Sequence, residues 1–423
     1  MIKLLVLADD FTGALDTGVQ FSKAGVSTFV STNTKLPTDK HMEVLVLDLE
    51  TRHLPPSEAR ERVRDAAISA LQAGIPYVYK KTDSAMRGNI GSELEGLFTS
   101  ASDGPVFFVP AYPETGRTTQ QGIHYVEGVP VSQTTFGSDP FNPVRDDYVP
   151  DIVARQTSCR TEVITRQDLN GLKDAAQKDK ILIFDAADKD EMALIAETIA
   201  ALGLPRLMAG CAGFAVYLPE MLGLNLSKPE VHPLGEGLLV ACGSINATTL
   251  EQIEYASRRG FTTIDLTPIQ KLTSRLTETN QGRELIDSLR RRYNENKRLI
   301  IMASRDHENI TLTNQLAAEM GLDPNQARER IAVNMGELVA SLLSVDVGIL
   351  AVFGGDTLVS VLRAVGENGI YPIQEIQAGI VHSTFMFQDS RMSLITKSGG
   401  FGTQDCILQI ENYGVSVNQL EFA

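Results

Sequence analysis

The chain has 423 residues, enough for two or three domains that each bury a core. Its 38 Lys and Arg stand against 53 Asp and Glu, and the resulting net charge of -15 argues against non-specific nucleic-acid binding while leaving room for a local basic pocket. Cys159, Cys211, Cys242 and Cys406 lie far apart without CxxC spacing, and the six histidines show no metal spacing, so neither a disulfide framework nor structural zinc is expected. Asp9 and Asp10 interrupt the apolar core that a signal peptide would need, and no apolar run is long enough for a bilayer. The expectation is a cytoplasmic protein with no membrane or nucleic-acid partner.

The first apolar run, residues 4–8, reads as a buried strand of a parallel sheet. It ends in Asp9 and Asp10, and Thr12 and Gly13 then lead into helical spacing over 14–24. Two carboxylates there are either a helix cap with a solvated neighbour or groups at work on a ligand, because ligands collect at strand carboxyl ends in α/β sheets. Residues 26–31, 43–49, 76–80 and 105–109 read as further strands, with helices over 57–73 and 92–100. This βαβ series implies a parallel sheet. Residues 111–150 are rich in Gly, Pro, Thr and aromatics, and 122–131 read as a hairpin inserted at the sheet edge. Strand and helix then alternate over 180–184, 191–202, 206–208 and 211–222.

Residues 225–237 contain two prolines and two glycines and carry little apolar pattern. They place the boundary: a first domain over 1–226, a linker over 227–237 and a second domain over 238–423. The second series has strands at 238–241, 261–265, 298–302 and 348–353. Its helices are expected at 248–259, 284–294, 324–344 and 358–365. Residues 374–418 read as a more β-rich end. The fold class is therefore α/β, as two domains with mainly parallel sheets and an active site expected in a cleft between them.

Loops that follow predicted strands carry the candidate chemistry. Lys80-Lys81-Thr82-Asp83-Ser84-Ala85-Met86-Arg87-Gly88-Asn89 combines cations that suit a carboxylate with an aspartate and a serine that suit hydroxyls. The simpler alternative is a surface loop with an Asp–Arg pair. Arg52 adds a guanidinium at the same edge. In the other half, Gly354-Gly355-Asp356-Thr357 joins a buried strand to a helix, where backbone N–H groups can face a phosphate and Asp356 or Thr357 can cap the helix or hold magnesium. Lys397-Ser398-Gly399-Gly400-Phe401-Gly402 and Cys242-Gly243-Ser244 are two more such turns. Each turn alone is weak evidence; together they point to a phosphotransferase. A dinucleotide-dependent dehydrogenase would need G-x-G-x-x-G after a first strand and a hydrolase G-x-S-x-G, and both are absent. A non-catalytic sugar-acid-binding sensor is the alternative from another class, and it would not need the glycine turns.

These residues resemble the four-carbon acid sugar kinase family. The likeness rests on Ala8-Asp-Asp-Phe-Thr-Gly-Ala14, Lys81-Thr-Asp-Ser with Arg87-Gly-Asn89, Gly116-Arg-Thr-Thr119, Gly354-Gly-Asp-Thr357 and Lys397-Ser-Gly-Gly-Phe-Gly402, in the family's order and across nearly the whole chain. The resemblance implies an N-terminal sugar-acid-binding domain, a C-terminal nucleotide-binding domain and ATP-dependent phosphorylation of a terminal hydroxyl. Ala14-Leu15-Asp16 and Gly400 stand where the 3-oxo-tetronate branch has Ala-Thr-Asp and an Asn, so the chain is more similar to the D-threonate kinase branch. Ala85-Met86 departs from the common Thr-Leu.

The resemblance therefore implies transfer from ATP·Mg²⁺ to the C4 hydroxyl of D-threonate, giving 4-phospho-D-threonate, with D-erythronate, L-threonate and 3-oxo-tetronate as alternatives. Arg52, Lys81 and Arg87 would hold the substrate carboxylate. Asp9, Asp10, Asp83 and Ser84 would take its hydroxyls. Ser244, Gly354, Gly355, Asp356, Thr357, Gly399 and Gly400 would hold the nucleotide, with magnesium near Asp356. Asp10 or Asp356 would be the base. Asp10 is favoured over Asp9 because successive side chains of an extended strand point to opposite faces, so that only one should touch substrate. Homodimer formation is left open.

Overall fold

The computed structural model describes residues 1–34, 36–37, 42–101, 104–139, 141–177, 180–227, 234–343, 347–388 and 390–420. The chain divides into two compact units, Met1–Pro229 and Glu230–Ala423. Most of the predicted linker, residues 228–233, lies outside the described residues. Before it, Ser227 is tied back to Gly25, its N–H and hydroxyl both donating to the Gly25 carbonyl. No helix among the described residues is long and apolar enough to cross a membrane.

In the first unit the strands in chain order are β1 (Leu4–Ala8), β2 (Thr28–Ser31), β3 (Val44–Asp48), β4 (Tyr77–Lys81), β5 (Val106–Val109), β6 (Arg117–Gln120), β7 (Ile123–Val126), β8 (Val129–Pro130), β9 (Thr161–Ile164), β10 (Ile181–Phe184) and β11 (Leu207–Gly210). The main sheet runs in the order β2-β3-β1-β4-β11-β5-β10-β9, and every pairing in it is parallel. Its central strands are buried along their whole length, as runs such as Leu4-Leu-Val-Leu-Ala8 require when helices cover both faces. Chain order reverses around β1, where β3 lies on one side and β4 on the other. A crevice is expected at such a point. The loops carrying Asp9–Asp10, Thr51–Arg52 and Thr82–Asn89 all emerge there.

The second unit has β12 (Leu238–Cys242), β13 (Thr262–Asp265), β14 (Arg298–Met302), β15 (Ile349–Phe353), β16 (Gly369–Gln377), β17 (Ile380–Phe387) and β18 (Ser390–Lys397), in the order β13-β14-β12-β15-β18-β17-β16. The five strands from β13 to β18 pair in parallel, and the last three turn antiparallel. The β-rich end is therefore a long meander added to a parallel sheet. A core cluster of β12, β14 and β15 side chains packs with Cys406, Ile407 and Ile410 from helix Cys406–Leu420.

Several boundaries differ from the sequence reading. The hairpin over 122–131 forms with β6 a separate three-stranded antiparallel sheet rather than an extension of the main one. The helix expected over 211–222 splits into Ala212–Ala215 and Leu218–Met221, because Pro219 has no N–H to continue a ladder and fits only a first turn. The edge strand β9 and the helices His307–Glu319 and Cys406–Leu420 were not anticipated.

One close approach sets the direction of the helix that follows the Gly354 turn. Helix Pro324–Leu342 meets helix Gly355–Ala364 at Gly336, where an added Cβ would sit 2.5 Å from the Ser360 carbonyl oxygen. Gly336→Ala gains about 1 kcal/mol of helix propensity, but the overpacking costs roughly 1–3 kcal/mol. The expected outcome is a lower urea midpoint for this unit; an unchanged or raised midpoint would show that the two helices part freely.

Candidate active site

The N-terminal site is built from three strand-end loops. Asp10 has extended backbone (φ -149°, ψ 162°) and caps helix Phe11–Lys23, its Oδ1 accepting from the Gly13 N–H at 2.8 Å. The Asp9 carbonyl accepts from the backbone N–H groups of Thr51 and Arg52, which fixes the second loop against the first. Asn89 then ties the third loop down by donating from Nδ2 to the carbonyls of Thr51 and Leu54, both at 2.9 Å. Within that third loop Asp83 Oδ1 accepts from the Ala85 and Arg87 N–H groups, and Met86 takes a left-handed conformation at φ 64°.

Arg52 is the hub. Its Nε donates to Asp9 Oδ2 at 2.7 Å, its Nη1 to Asp10 Oδ2 at 2.6 Å, and its Nη2 lies 3.4 Å from Asp83 Oδ2. Arg87 pairs with Asp83 at 2.8 Å, lies 3.4 Å from Asp139, and stacks its guanidinium over Phe136. Asp9 Oδ1 is buried and has no hydrogen-bond partner among the described residues. Behind the cluster, buried Lys80 and Glu93 pair at 3.1 Å, and Thr51 donates its hydroxyl to the same carboxylate. Lys81 donates to the Thr82 carbonyl at 2.7 Å, and its Nζ would lie 2.8 Å from a Cβ at Gly13. Only glycine at 13 leaves that ammonium its place at the helix N-terminus.

The acids are shifted in opposite directions. Burial works to raise the Asp9 carboxyl, but Arg52 with Lys81 and Lys80 outweighs it and leaves the group below the usual range. Asp83 is likewise opposed by burial and driven well down by Arg52 and Arg87. Asp10 lies above the usual range, because burial is reinforced by the negative Asp9 next to it. Asp48, at the end of β3 and paired in register with Ala8, is pushed up to about 9 by burial and then by Glu50.

The second unit's turns sit at the carboxyl ends of β12, β15 and β18. Gly354 has φ 115°, a conformation that side chains resist, and an added Cβ at Gly243 would lie 2.1 Å from Thr357 Oγ1. Glycine at 243 thus leaves Thr357 its place against the end of β12, and glycine at 354 is set by its φ. Helix Gly355–Ala364 starts at this point, so its free N–H groups face the turn. Lys397 Nζ and Thr249 Oγ1 both donate to the Gly399 carbonyl, at 2.6 and 2.9 Å, and Gln252 Nε2 donates to the carbonyls of Phe401, Gly402 and Thr403. A pocket of about 630 Å³ opens beside Gly243, Asp356 and Thr357, with a largely apolar wall that includes Ile245, Ile310 and Ile331.

The sequence-predicted residues therefore fall into two clusters. Asp9, Asp10, Arg52, Lys81, Asp83 and Arg87 come together in the first unit, with Ser84 half-buried in the same loop. In the second, Ser244, Gly354 and Thr357 meet; Gly355 and Asp356 open the helix, and Gly399 and Gly400 lie beside Asn246 and Thr249. The expectation that Asp9 and Asp10 face opposite ways does not hold, because β1 ends at Ala8 and a single guanidinium reaches both acids. Asp10 turns out to be cap and cluster member at once. Sequence reasoning missed Asp48, Lys271 in the pocket wall, and His124, which bridges Thr119 Oγ1 (3.0 Å) and the Ser84 carbonyl (2.9 Å). His124 is joined to the loop across a separate hairpin, a contact that spacing cannot reveal.

Residues 4–218 match the family model described as a sugar-binding N-terminal domain, and residues 239–407 the one described as a nucleotide-binding C-terminal domain. A D-threonate kinase of Salmonella typhimurium is 29% identical over 416 residues, covering 96% of this chain and 97% of that protein. The chain belongs to the four-carbon acid sugar kinase family. Within that family it is also similar to a D-erythronate kinase of Heliobacterium modesticaldum, 26% identical over 446 residues and covering 98% of this chain and 97% of that one. A solved structure from Salmonella typhimurium shares the fold, with a TM-score of 0.79 at 23% identity over 98% of this chain and 100% of that one. A Haemophilus influenzae protein does so with a TM-score of 0.75 at 22% identity, again over 98% and 100%.

The Asp48 carboxyl gives this family member a measurable signature. Its folded pKa of about 9 stands above its ordinary value of 3.8, so the stability it contributes is present in acid and lost as pH rises towards 9. Asp48→Asn removes that titration. The variant's unfolding free energy for the first unit should gain on the native chain as pH rises from 5 to 8, by about 4 kcal/mol, or roughly 1.4 kcal/mol per pH unit. A pH-independent offset would show that Asp48 is ionised throughout.

Proposed function

We propose that the protein is an ATP-dependent kinase that phosphorylates the C4 hydroxyl of a four-carbon sugar acid, with D-threonate as the favoured substrate and D-erythronate, L-threonate and 3-oxo-tetronate as the alternatives. The observation that carries this reading is Asp9 Oδ1, a buried carboxylate oxygen without a partner, set among cations at a sheet's switch point. An orphaned buried acceptor is costly unless a donor arrives, and a polyol supplies hydroxyl donors. The D-threonate kinase relatives support the choice among four-carbon acids. A sugar-acid sensor would share this first cluster but leaves the glycine turns and apolar pocket of the second unit without a purpose.

Arg52 is committed to Asp9, Asp10 and Asp83, so in this reading it orders the acids, while Lys81 and Arg87 meet the substrate carboxylate. Lys81 beside the N-terminus of helix Phe11–Lys23 is suited to an anion. Asp9 takes the reacting hydroxyl in preference to Asp10, whose two oxygens already accept from Gly13 and Arg52. The phosphates of ATP lie on the helix N-terminus at Gly355 and on the Gly399–Gly400 turn, with Ser244 and Thr357 as hydroxyl donors. Asp356 is exposed and 3.5 Å from Arg328, a position for a charge partner rather than a buried base.

Magnesium usually takes one or two carboxylates with the substrate's phosphates and waters. Asp356 with Thr357 at a helix start fits that mode, and among the described residues no group of three or more His, Cys, Asp or Glu forms an all-protein cage. Bound there, the ion would neutralise charge on the phosphates. Transfer itself needs positioning and charge neutralisation more than covalent chemistry, and exclusion of water keeps the phosphoryl group from hydrolysis.

A coupled ADP-release assay across D-threonate, L-threonate, D-erythronate and 3-oxo-tetronate tests the proposal. Turnover with at least one acid, highest with D-threonate, is expected, and silence across the panel would sink the kinase reading. Arg87→Ala should raise KM for the sugar acid by about 10- to 100-fold with KM for ATP unchanged, as expected for a lost charged hydrogen bond. The reverse pattern would move substrate binding to the other unit. Asp356→Asn should lower kcat by roughly 100-fold or shift the magnesium requirement, and near-native kinetics would remove it from the site.

A further inference from the structure

The apolar pocket of the second unit contains a buried cation that neither the glycine turns nor the sugar-acid cluster accounts for. Lys271 lies near the end of helix Pro268–Leu272, its side chain is buried, and it lines the pocket that also reaches Gly243 and Thr357. Its ammonium donates to Ser304 Oγ at 2.7 Å and to Asn309 Oδ1. An ammonium has three N–H groups, so one remains for the pocket. Asn309 is itself anchored, one of its Nδ2 hydrogens donating to the Leu266 carbonyl.

The position along the sheet says which part of a ligand this donor meets. Ser304 follows the end of β14, Gly243 the end of β12, and Gly354 the end of β15, three strands adjacent in that order. Neighbouring strands are about 4.8 Å apart, so Ser304 stands roughly 10 Å from the Gly354 turn. That is too far for a phosphate seated at the turn's own helix N-terminus, and the right reach for the nucleoside of the same molecule. The wall between is apolar, as a purine ring requires. Among described residues no carboxylate pairs with Lys271; Asp265 is held by Arg305 at 2.5 Å, and Asp306 caps helix His307–Glu319.

Resting on the nucleotide-binding reading of this unit, the geometry points to Lys271 as the residue that recognises the nucleoside moiety, donating its third N–H to an acceptor on the purine or ribose. Ser304 and Asn309 are the positioning residues that aim it. Burial lowers the ammonium pKa to about 8, against the opposing pull of Asp265 and Asp306. Arg328 lines the same pocket and Arg330 donates to the Leu272 carbonyl, so both add positive potential from helix Pro324–Leu342. Nucleoside recognition is then stronger when Lys271 is protonated and weakens as pH passes about 8.

Calorimetric titration of the full chain with ADP and, separately, with inorganic tripolyphosphate tests this. Lys271→Met should weaken ADP by about 10- to 100-fold and leave tripolyphosphate unchanged. Equal loss of both ligands, or of neither, overturns the assignment. The native chain gives an independent reading that needs no variant. Its ADP affinity should fall at least several-fold between pH 7.5 and 9.5 while tripolyphosphate affinity does not, and parallel profiles would overturn the proposal. Failure of the native chain to bind ADP at any of these pH values would instead refute the nucleotide-binding reading itself.

Discussion

Three carboxylates cannot crowd the mouth of a parallel sheet unless a cation is fixed among them, and Arg52 is that cation. Asp9, Asp10 and Asp83 come from two strand ends, and a single planar guanidinium reaches all three. Lysine could not replace it, because a point charge on a flexible stem cannot span three acids in a fixed fork. Removing one partner from such a buried set typically costs about 3–5 kcal/mol, since the others are left without compensation. The backbone N–H of Arg52 also donates to the Asp9 carbonyl, so the loop is registered on β1 by the same residue that neutralises it. The positions of Asp9, Asp10 and Asp83 follow from that one placement.

The second unit solves the opposite problem. In the proposed reading it receives negative charge, with backbone and little side-chain charge. Gly243 lacks the Cβ that would displace Thr357, Gly354 takes a φ that side chains resist, and the start of helix Gly355–Ala364 points its free N–H groups at the turn. Lys397 is buried and engaged with the carbonyls of Ser398 and Gly399, so it shapes the third turn from beneath. Burial lowers its pKa, as expected for an ammonium whose task is internal. The helix packing at Gly336 then fixes the direction in which the 355–364 helix points.

The strands were legible in the sequence wherever both faces are covered, because a continuous apolar run such as Leu4–Ala8 or Arg298–Met302 has few other readings. The edge strand Thr161–Ile164 escaped notice because it has Thr and Glu on exposed faces and pairs on one side only. Helix Cys406–Leu420 was masked by Val and Tyr within a stretch already reading as β, where tertiary packing of Cys406, Ile407 and Ile410 decided the outcome. Site residues contiguous in sequence, from Lys80 to Asn89 and from Gly354 to Thr357, could be found as strings. Asp48, His124 and Lys271 could not. Each matters through a neighbour far away in the chain: Asp10 for the first (beside the local Glu50), Ser84 for the second, Ser304 and Asn309 for the third. The opposite-face argument for Asp9 and Asp10 failed for a related reason, since strand alternation stops where the strand does.

The charge states bear on how a hydroxyl would be activated. Asp9 is held below the usual carboxylate range, which makes it a poor proton acceptor in the ground state. Asp10 is held above it, yet both of its oxygens are engaged with Gly13 and Arg52. Neither is therefore built as a strong base waiting for a proton. Phosphoryl transfer through a loose transition state does not ask for one, because the attacking oxygen needs aim early and gives up its proton late. In the proposed reaction an ionised Asp9 with one free oxygen orients the hydroxyl, and its affinity for the proton rises only as that hydroxyl becomes acidic on bonding to phosphorus. On this view the low pKa of Asp9 is compatible with its place beside the reacting group, and Arg52 sets it there.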